Sequence, residues 1–278
     1  MSSVDRPLWR TLRGLRGPPD VAPGQESGAP RARPLGQSLA TLTPMDEIVG
    51  SIPAETHPED AAYRAGVVDL LGILAYGGLT AFQRLADDAA TAPTLADQVM
   101  TSSMAVVQFR NFEAVRDHLW TFDVDVLDAM EPFHRAFDDY HERAQPKIWL
   151  ETLVSAYVGD GFAADFYREI AAYVDANTRA LVDEVLTTDR QTDYIVGRVR
   201  QAIADEPAVG GRLALWGRRL VGEALTQAQR VASERSALTG LISGTVNRSG
   251  MDLAMIGRML TRLVENHALR MDRLGLAS

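Results

Sequence analysis

Residues 94–122 read TLADQVMTSSMAVVQFRNFEAVRDHLWTF. Apolar residues recur there with a helical period, and Pro93 and Thr94 mark the start. Asp97 follows Thr94 at the capping-box spacing. The stretch predicts one long helix whose middle holds Gln108-x-x-Asn111. Side chains at i and i+3 share a helix face. Four-helix bundles that hold a pair of metal ions place Glu-x-x-His at such a point. Gln and Asn keep the hydrogen-bonding ability but lose the anionic oxygen and the imidazole.

The same periodicity runs along almost all of the chain after Pro58. A first helix is expected over residues 59–90, with Val67, Leu70, Leu71, Leu74, Leu79, Phe82 and Leu85 as its apolar stripe. Residues 123–146 read as a crossover with a short helix near 131–143. Pro146 precedes a third helix over 147–174, and Asp175 caps a fourth reaching Asp205, with a break near Thr187 left open. Pro207 then opens a helix over 208–238, and a glycine-flanked loop at 244–250 leads to a last helix ending near Leu274. No strand pattern competes. Two helical hairpins joined by a longer crossover predict an all-α, ferritin-like four-helix bundle with two additional C-terminal helices.

Residues 1–57 form a separate region, rich in Pro, Gly, Ser and Arg and without sustained periodicity. This composition predicts a disordered tail, followed by one helical domain over 58–278. Leu8, Leu12 and Leu15, interleaved with Arg10, Arg13 and Arg16, would give a transient basic helix. Met45 offers an alternative start, so translation of residues 1–44 is open. Residues 1–44 carry a net +3 within a total of −9, which leaves −12 on the rest. An acidic body disfavours general nucleic-acid binding. There is no cysteine, which excludes disulfides and thiolate metal sites and fits a reducing cytoplasm. The longest apolar run, residues 66–76, is interrupted by Asp69, so no membrane span is expected.

The segments YRAGVVDLLGILAYGGLTAFQRLADDA, MAVVQFRNFEAVRDHL, WLETLVSAYVGDGFAADFYREIAAYVD and GRLALWGRRLVGEALTQAQRVASER resemble one bacterial family over about residues 60–276. They are similar to the ferritin-like proteins related to the tRNA 2-methylthio-isopentenyladenosine hydroxylase. The resemblance implies a di-iron bundle whose first helix reads Tyr-Gly-Glu, where this chain has Tyr76-Gly77-Gly78. It implies Glu-x-x-His on the second helix, where Gln108 and Asn111 stand. A carboxylate on the third falls on Asp160, and Asp-x-x-His on the fourth falls on Thr188 and Gln191. Each position lies near the middle of its expected helix, so antiparallel packing brings all of them to one level.

Asp160 is then the one carboxylate left among the six positions, too little charge for two divalent ions. The expected protein has no catalytic, cofactor-binding or metal residues in use. It would be a metal-free structural or interaction protein, partnered by an intact homologue or by itself. The alternative is an oxygen-activating hydroxylase or oxidase of the tRNA-modifying type with an altered di-iron or di-manganese site. A third reading is a small-ligand binder whose pocket is lined by Tyr76, Gln108, Asn111, Asp160 and Gln191. Arg110 is a conceivable partner for Asp160.

Other motifs carry less. Glu131-x-x-His134 and Asp138-x-x-His141 share one short helix, whereas a bundle site needs facing helices. Asp160 and Asp165 are about 140° apart on a helix and do not form an acid/base pair. Glu223 and Gln227 could hydrogen-bond within the core or lend one ligand. The arginines at 212, 218, 219, 230 and 235 suggest a solvated face with nearby acids, or a tRNA contact. His267 reads as a surface or capping histidine.

Overall fold

A computed structural model describes residues 61–187, 189–244 and 250–276. Chain contacts separate Met1–Gly50 from Ser51–Ser278, and only the second unit is described below. The expected tail and Thr188 lie outside the described residues.

The first hairpin pairs α1 (Ala61–Ala89) with α2 (Leu95–Trp120). Thr94 caps α2, accepting from the Asp97 amide at 3.1 Å while its hydroxyl donates to the Asp97 carboxylate at 2.8 Å. The crossover contains α3 (Val126–Met130), a 3₁₀ turn at Glu131–Phe133 and α4 (His134–Arg143). The third bundle helix consists of α5 (Trp149–Val154), a π-helical turn at Ser155–Gly159 and α6 (Asp160–Ala171). Glu151 stops its N-terminus by accepting from the Lys147 and Ile148 amides at 2.6 and 3.3 Å. The fourth is broken into α7 (Ala176–Val185), capped by Asp175, and α8 (Asp189–Asp205). It packs beside the second and third helices, which completes the four-helix bundle.

Three further helices follow rather than two. The expected helix over 208–238 is α9 (Pro207–Glu234) and α10 (Ser236–Ser243), separated by Arg235 at φ −118° and ψ 78°. The break turns α10 onto α1. A Cβ on Gly66 would lie 2.7 Å from the Ala237 carbonyl oxygen, so glycine permits that approach. The last helix, α11 (Leu253–Arg273), lies against α6.

By length and hydropathy α1 could cross a bilayer, contrary to the sequence expectation. Two-thirds of its most apolar window is buried inside the protein, as in the core helix of a bundle. Asp69 does not interrupt a core face but is itself buried, bonded to Arg235.

The interior consists of two apolar clusters. One gathers Leu70, Leu71, Leu74, Val115, Leu119, Ile170 and Val182, and the other Leu85, Met104, Leu153, Val158, Leu220 and Met271. On α1, α2 and the third helix the residues between these clusters are those around 76–84, 108–112 and 164–168. The middle level of the bundle is therefore mixed, with Leu79, Phe82, Phe112 and Phe166 packed against the clusters beside the polar side chains of Arg84, Gln108 and Arg168.

Candidate functional site

A cavity of about 720 Å³ opens at that middle level. Leu85 of α1, Met104 and Gln108 of α2, Asp160 of α6 and Gln191 of α8 contribute to its wall. Residues 185–187, where the fourth helix breaks, form another side, and α11 closes it with Asn266, Leu269, Arg270 and Arg273. The π-helical turn brings Ala156 and Tyr157 onto the lining and ends at Asp160. Such turns often occur at functional sites, because the extra residue re-aims the side chains that follow.

Gln108, Asp160 and Gln191 thus share one cavity. Asn111 is turned aside, its side-chain amide donating to the Val185 carbonyl at 2.7 Å, where it ties α2 to the end of α7. Gly78 faces the backbone of α2. A Cβ there would lie 3.3 Å from the Gln108 carbonyl oxygen and 3.4 Å from the Phe112 nitrogen. Tyr76 points to the crossover, against His134 and Phe137, and donates to Asp138 at 3.5 Å. Burial and the carboxylates of Asp138 and Glu131 push the Tyr76 phenol up to about 12.

The partner of Asp160 is Arg84, at 3.4 Å, not Arg110. Asp160 is surrounded by protein, yet about a third of its side chain remains accessible. Both hold because the group lies deep in the fold on a wall of the cavity. Desolvation raises its pKa, and the charge and hydrogen bond of Arg84 offset only part of that rise. Tyr140 and Tyr167, buried nearby, are also raised, chiefly by desolvation. Burial and the Arg84 charge push His141 down to about 3, so its imidazole is neutral at pH 7. Arg84 itself keeps a buried Nε without a hydrogen-bond partner.

The raised Asp160 carboxyl has a definite sign in pH dependence. Its proton favours the folded state, so its contribution is full below the ordinary carboxylate range and lost as pH rises through its raised value. Asp97, Glu151 and Asp175 act oppositely. Burial would raise each of them, but hydrogen bonds from Tyr194, Arg198 and Thr94, from Arg212 and Lys147, and from Thr178 and Tyr63 respectively hold them low. Their stabilisation is present above the ordinary range and lost as pH falls through their depressed values. Asp160→Asn is therefore expected to gain stability relative to the parent as pH rises from about 4, the ordinary carboxylate value. Thermal melts of both proteins across pH 4–7 check this; a melting temperature of the variant minus that of the parent that falls with rising pH would contradict the assignment.

The donor set does not fit a pair of divalent ions. Among the described residues no three His, Asp or Glu side chains come together in a metal-binding group. Asp160 is already engaged by a guanidinium. His134 instead pairs with Asp138 at 3.1 Å on the exposed face of α4, and His141 packs against the Phe137 and Tyr140 rings. His267 is half-buried rather than a surface cap, with an unpartnered Nδ1. Gln227 is buried with its Oε1 unpartnered, and Glu223 lies 3.8 Å from Arg143.

The arginines of α9 and its end stay at the surface or half-buried and reach acids and carbonyls on other elements. Arg212 binds Glu151 at 2.8 Å, Arg230 binds Asp139 and Glu234, Arg235 binds Asp69, and Arg219 donates to the Arg143 carbonyl. The Arg230–Glu234 contact is the local i,i+4 pair expected from the sequence. Arg84, Tyr157, Arg168 and Arg270 were not singled out from sequence. Nothing in their local spacing marks them, since the chain folds them together from distant helices.

A family model described as a ferritin-like domain of actinomycetes matches residues 61–245. Among solved structures the chain is similar to the protein described as Protein 19 with aldehyde deformylating oxidase activity from Synechococcus. The likeness has a TM-score of 0.53 and 20% identity over 78% of this chain and 93% of that one, and it speaks to the fold. No curated protein matches.

Proposed function

The chain belongs to the ferritin-like domain family of actinomycetes, and from that premise we propose that it is a metal-free, non-catalytic member that works by binding and association. The observation that carries this reading is the Arg84–Asp160 pair. A guanidinium beside the one remaining carboxylate supplies a fixed positive charge that repels cations and engages one of its two oxygens. The amides of Gln108 and Gln191 add no compensating charge. Exposed Leu95, Val99, Val106 and Trp120 along α2 support association with a second copy or an intact homologue. A reducing cytoplasm is the setting we propose, on the absence of cysteine.

Metal analysis of protein purified from cells supplied with iron or manganese tests this. The expected content is well below one equivalent per chain. Two tightly held equivalents would overturn the metal-free reading and favour the second one, an altered-site hydroxylase of the tRNA-modifying type. That second reading draws its support from the family resemblance and from a cavity beside Asp160 large enough for a substrate.

A further inference from the structure

We propose that the central cavity binds a small organic anion, held by a pair of guanidiniums on its α6–α11 wall that share a single carboxylate. The proposal rests on the reading that the bundle centre holds no metal pair. Arg270 of α11 forks onto Asp165, with both distances 2.7 Å. Arg168 shares the same carboxylate at 3.6 Å and donates to the Leu186 carbonyl at 2.6 Å. Two cations on this wall thus share one anion. The other charges on the lining are matched one to one, Arg273 with Asp193 and Asp160 with Arg84. The wall keeps a net positive charge inside a body whose overall charge is strongly negative.

The local packing holds that charge at the cavity. A Cβ on Gly161 would lie 2.6 Å from Arg270 Nε, so glycine lets the arginine lie flat along α6. Arg270 and Asp165 are largely shielded, with side chains 18% and 11% accessible, which strengthens their field toward the interior. Ala156, Ala164 and Leu269 offer apolar surface on the lining, and Gln108, Gln191 and Asn266 offer amide groups. Leu269 and Arg273 are exposed and mark the mouth. The volume suits a drug-sized molecule with one anionic end and an apolar body.

The probe is 1-anilinonaphthalene-8-sulfonate, an amphipathic anion, titrated by fluorescence into the full chain after EDTA treatment. Its neutral counterpart is N-phenyl-1-naphthylamine, which has the same rings without the sulfonate. The expected result is saturable binding of the sulfonate at one site per chain, with the neutral probe at least about tenfold weaker, the loss of roughly one charge-assisted contact. Arg168→Gln should weaken the sulfonate about tenfold and leave the neutral probe unchanged. Because Arg168 also holds Leu186, Asn266→Asp provides a second variant. It adds a negative charge to the wall and should weaken the sulfonate to a similar degree. Ala164→Trp fills the cavity without changing its charge and should abolish binding of the sulfonate. Equal affinity for the two probes, or sulfonate binding that survives Ala164→Trp or is indifferent to Asn266→Asp in a folded protein, would overturn the proposal. Metal content measured on untreated protein reports separately on the metal-free reading, so the two failures are distinguishable.

Discussion

Gly72→Ala is expected to destabilise the protein by about 3 kcal/mol, the upper range for overpacking against an unyielding neighbour. Gly77→Ala, five residues along the same helix, is expected to stabilise it by up to about 1 kcal/mol. Both glycines lie inside α1, where alanine restricts the unfolded chain and favours the helix. The sign is decided by what the new methyl group meets. At Gly72 a Cβ would lie 2.1 Å from the Ala129 carbonyl oxygen and 2.8 Å from its carbon, so the obstacle is the backbone of α3. Phe133, fully buried at 3.2 Å from the same point, prevents a sideways escape. At Gly77 the nearest atoms are the Phe137 ring at 3.4 and 3.5 Å, an ordinary contact. Urea unfolding of the two variants checks the pair. If Gly72→Ala unfolds at the parent midpoint, α3 is not seated against α1 as described. That would move the crossover and with it Tyr76, His134 and Phe137.

What the sequence disclosed was chiefly local. Thr94 with Asp97, Asp175 and Pro207 announce helix starts through side chains and backbone within a few residues, and all mark real boundaries. The shared depth of Gln108, Asp160 and Gln191 was also legible, because antiparallel helices of similar length align their midpoints. Asn111 and Gly78 lie at that level too, but a backbone contact turns one aside and the other faces the backbone of α2, where a Cβ would be tightly placed. Thr188 lies outside the described residues. What escaped the sequence was non-local pairing. Arg110 was a conceivable partner for Asp160, yet the partner is Arg84, 76 residues away on α1. The wall formed by α11 escaped for the same reason, since nothing within residues 253–273 says that Arg270 will reach Asp165, 105 residues earlier. Asp160 and Asp165 were weighed as an acid/base pair and rejected on their angle; Asp160 binds Arg84, and Asp165 and Glu169 each bind an arginine of α11.

Arg235→Ala is the other substitution with a large expected cost, about 3 kcal/mol, the lower end for removing one partner of a buried ion pair. Asp69 is 2% exposed and surrounded by the apolar cluster of α1. Arg235 reaches it from the break between α9 and α10, with Nε 3.2 Å from one carboxylate oxygen and Nη2 bonded to the other. Its guanidinium also lies over the Phe133 ring, at 5.9 Å from the centroid. Removing the arginine strands a buried carboxylate, while the accessible part of the guanidinium path admits water and limits the loss. The double replacement Asp69→Leu with Arg235→Met should recover most of that cost, because neither a stranded charge nor a desolvated pair remains. A double-mutant cycle by chemical denaturation measures the coupling. Additive single and double effects would mean that the pair contributes no coupling and that Asp69 is hydrated from elsewhere. Strong coupling would mean that Asp69, which looked from the sequence like a flaw in an apolar helix, fixes where α9 ends and so where α10 meets α1.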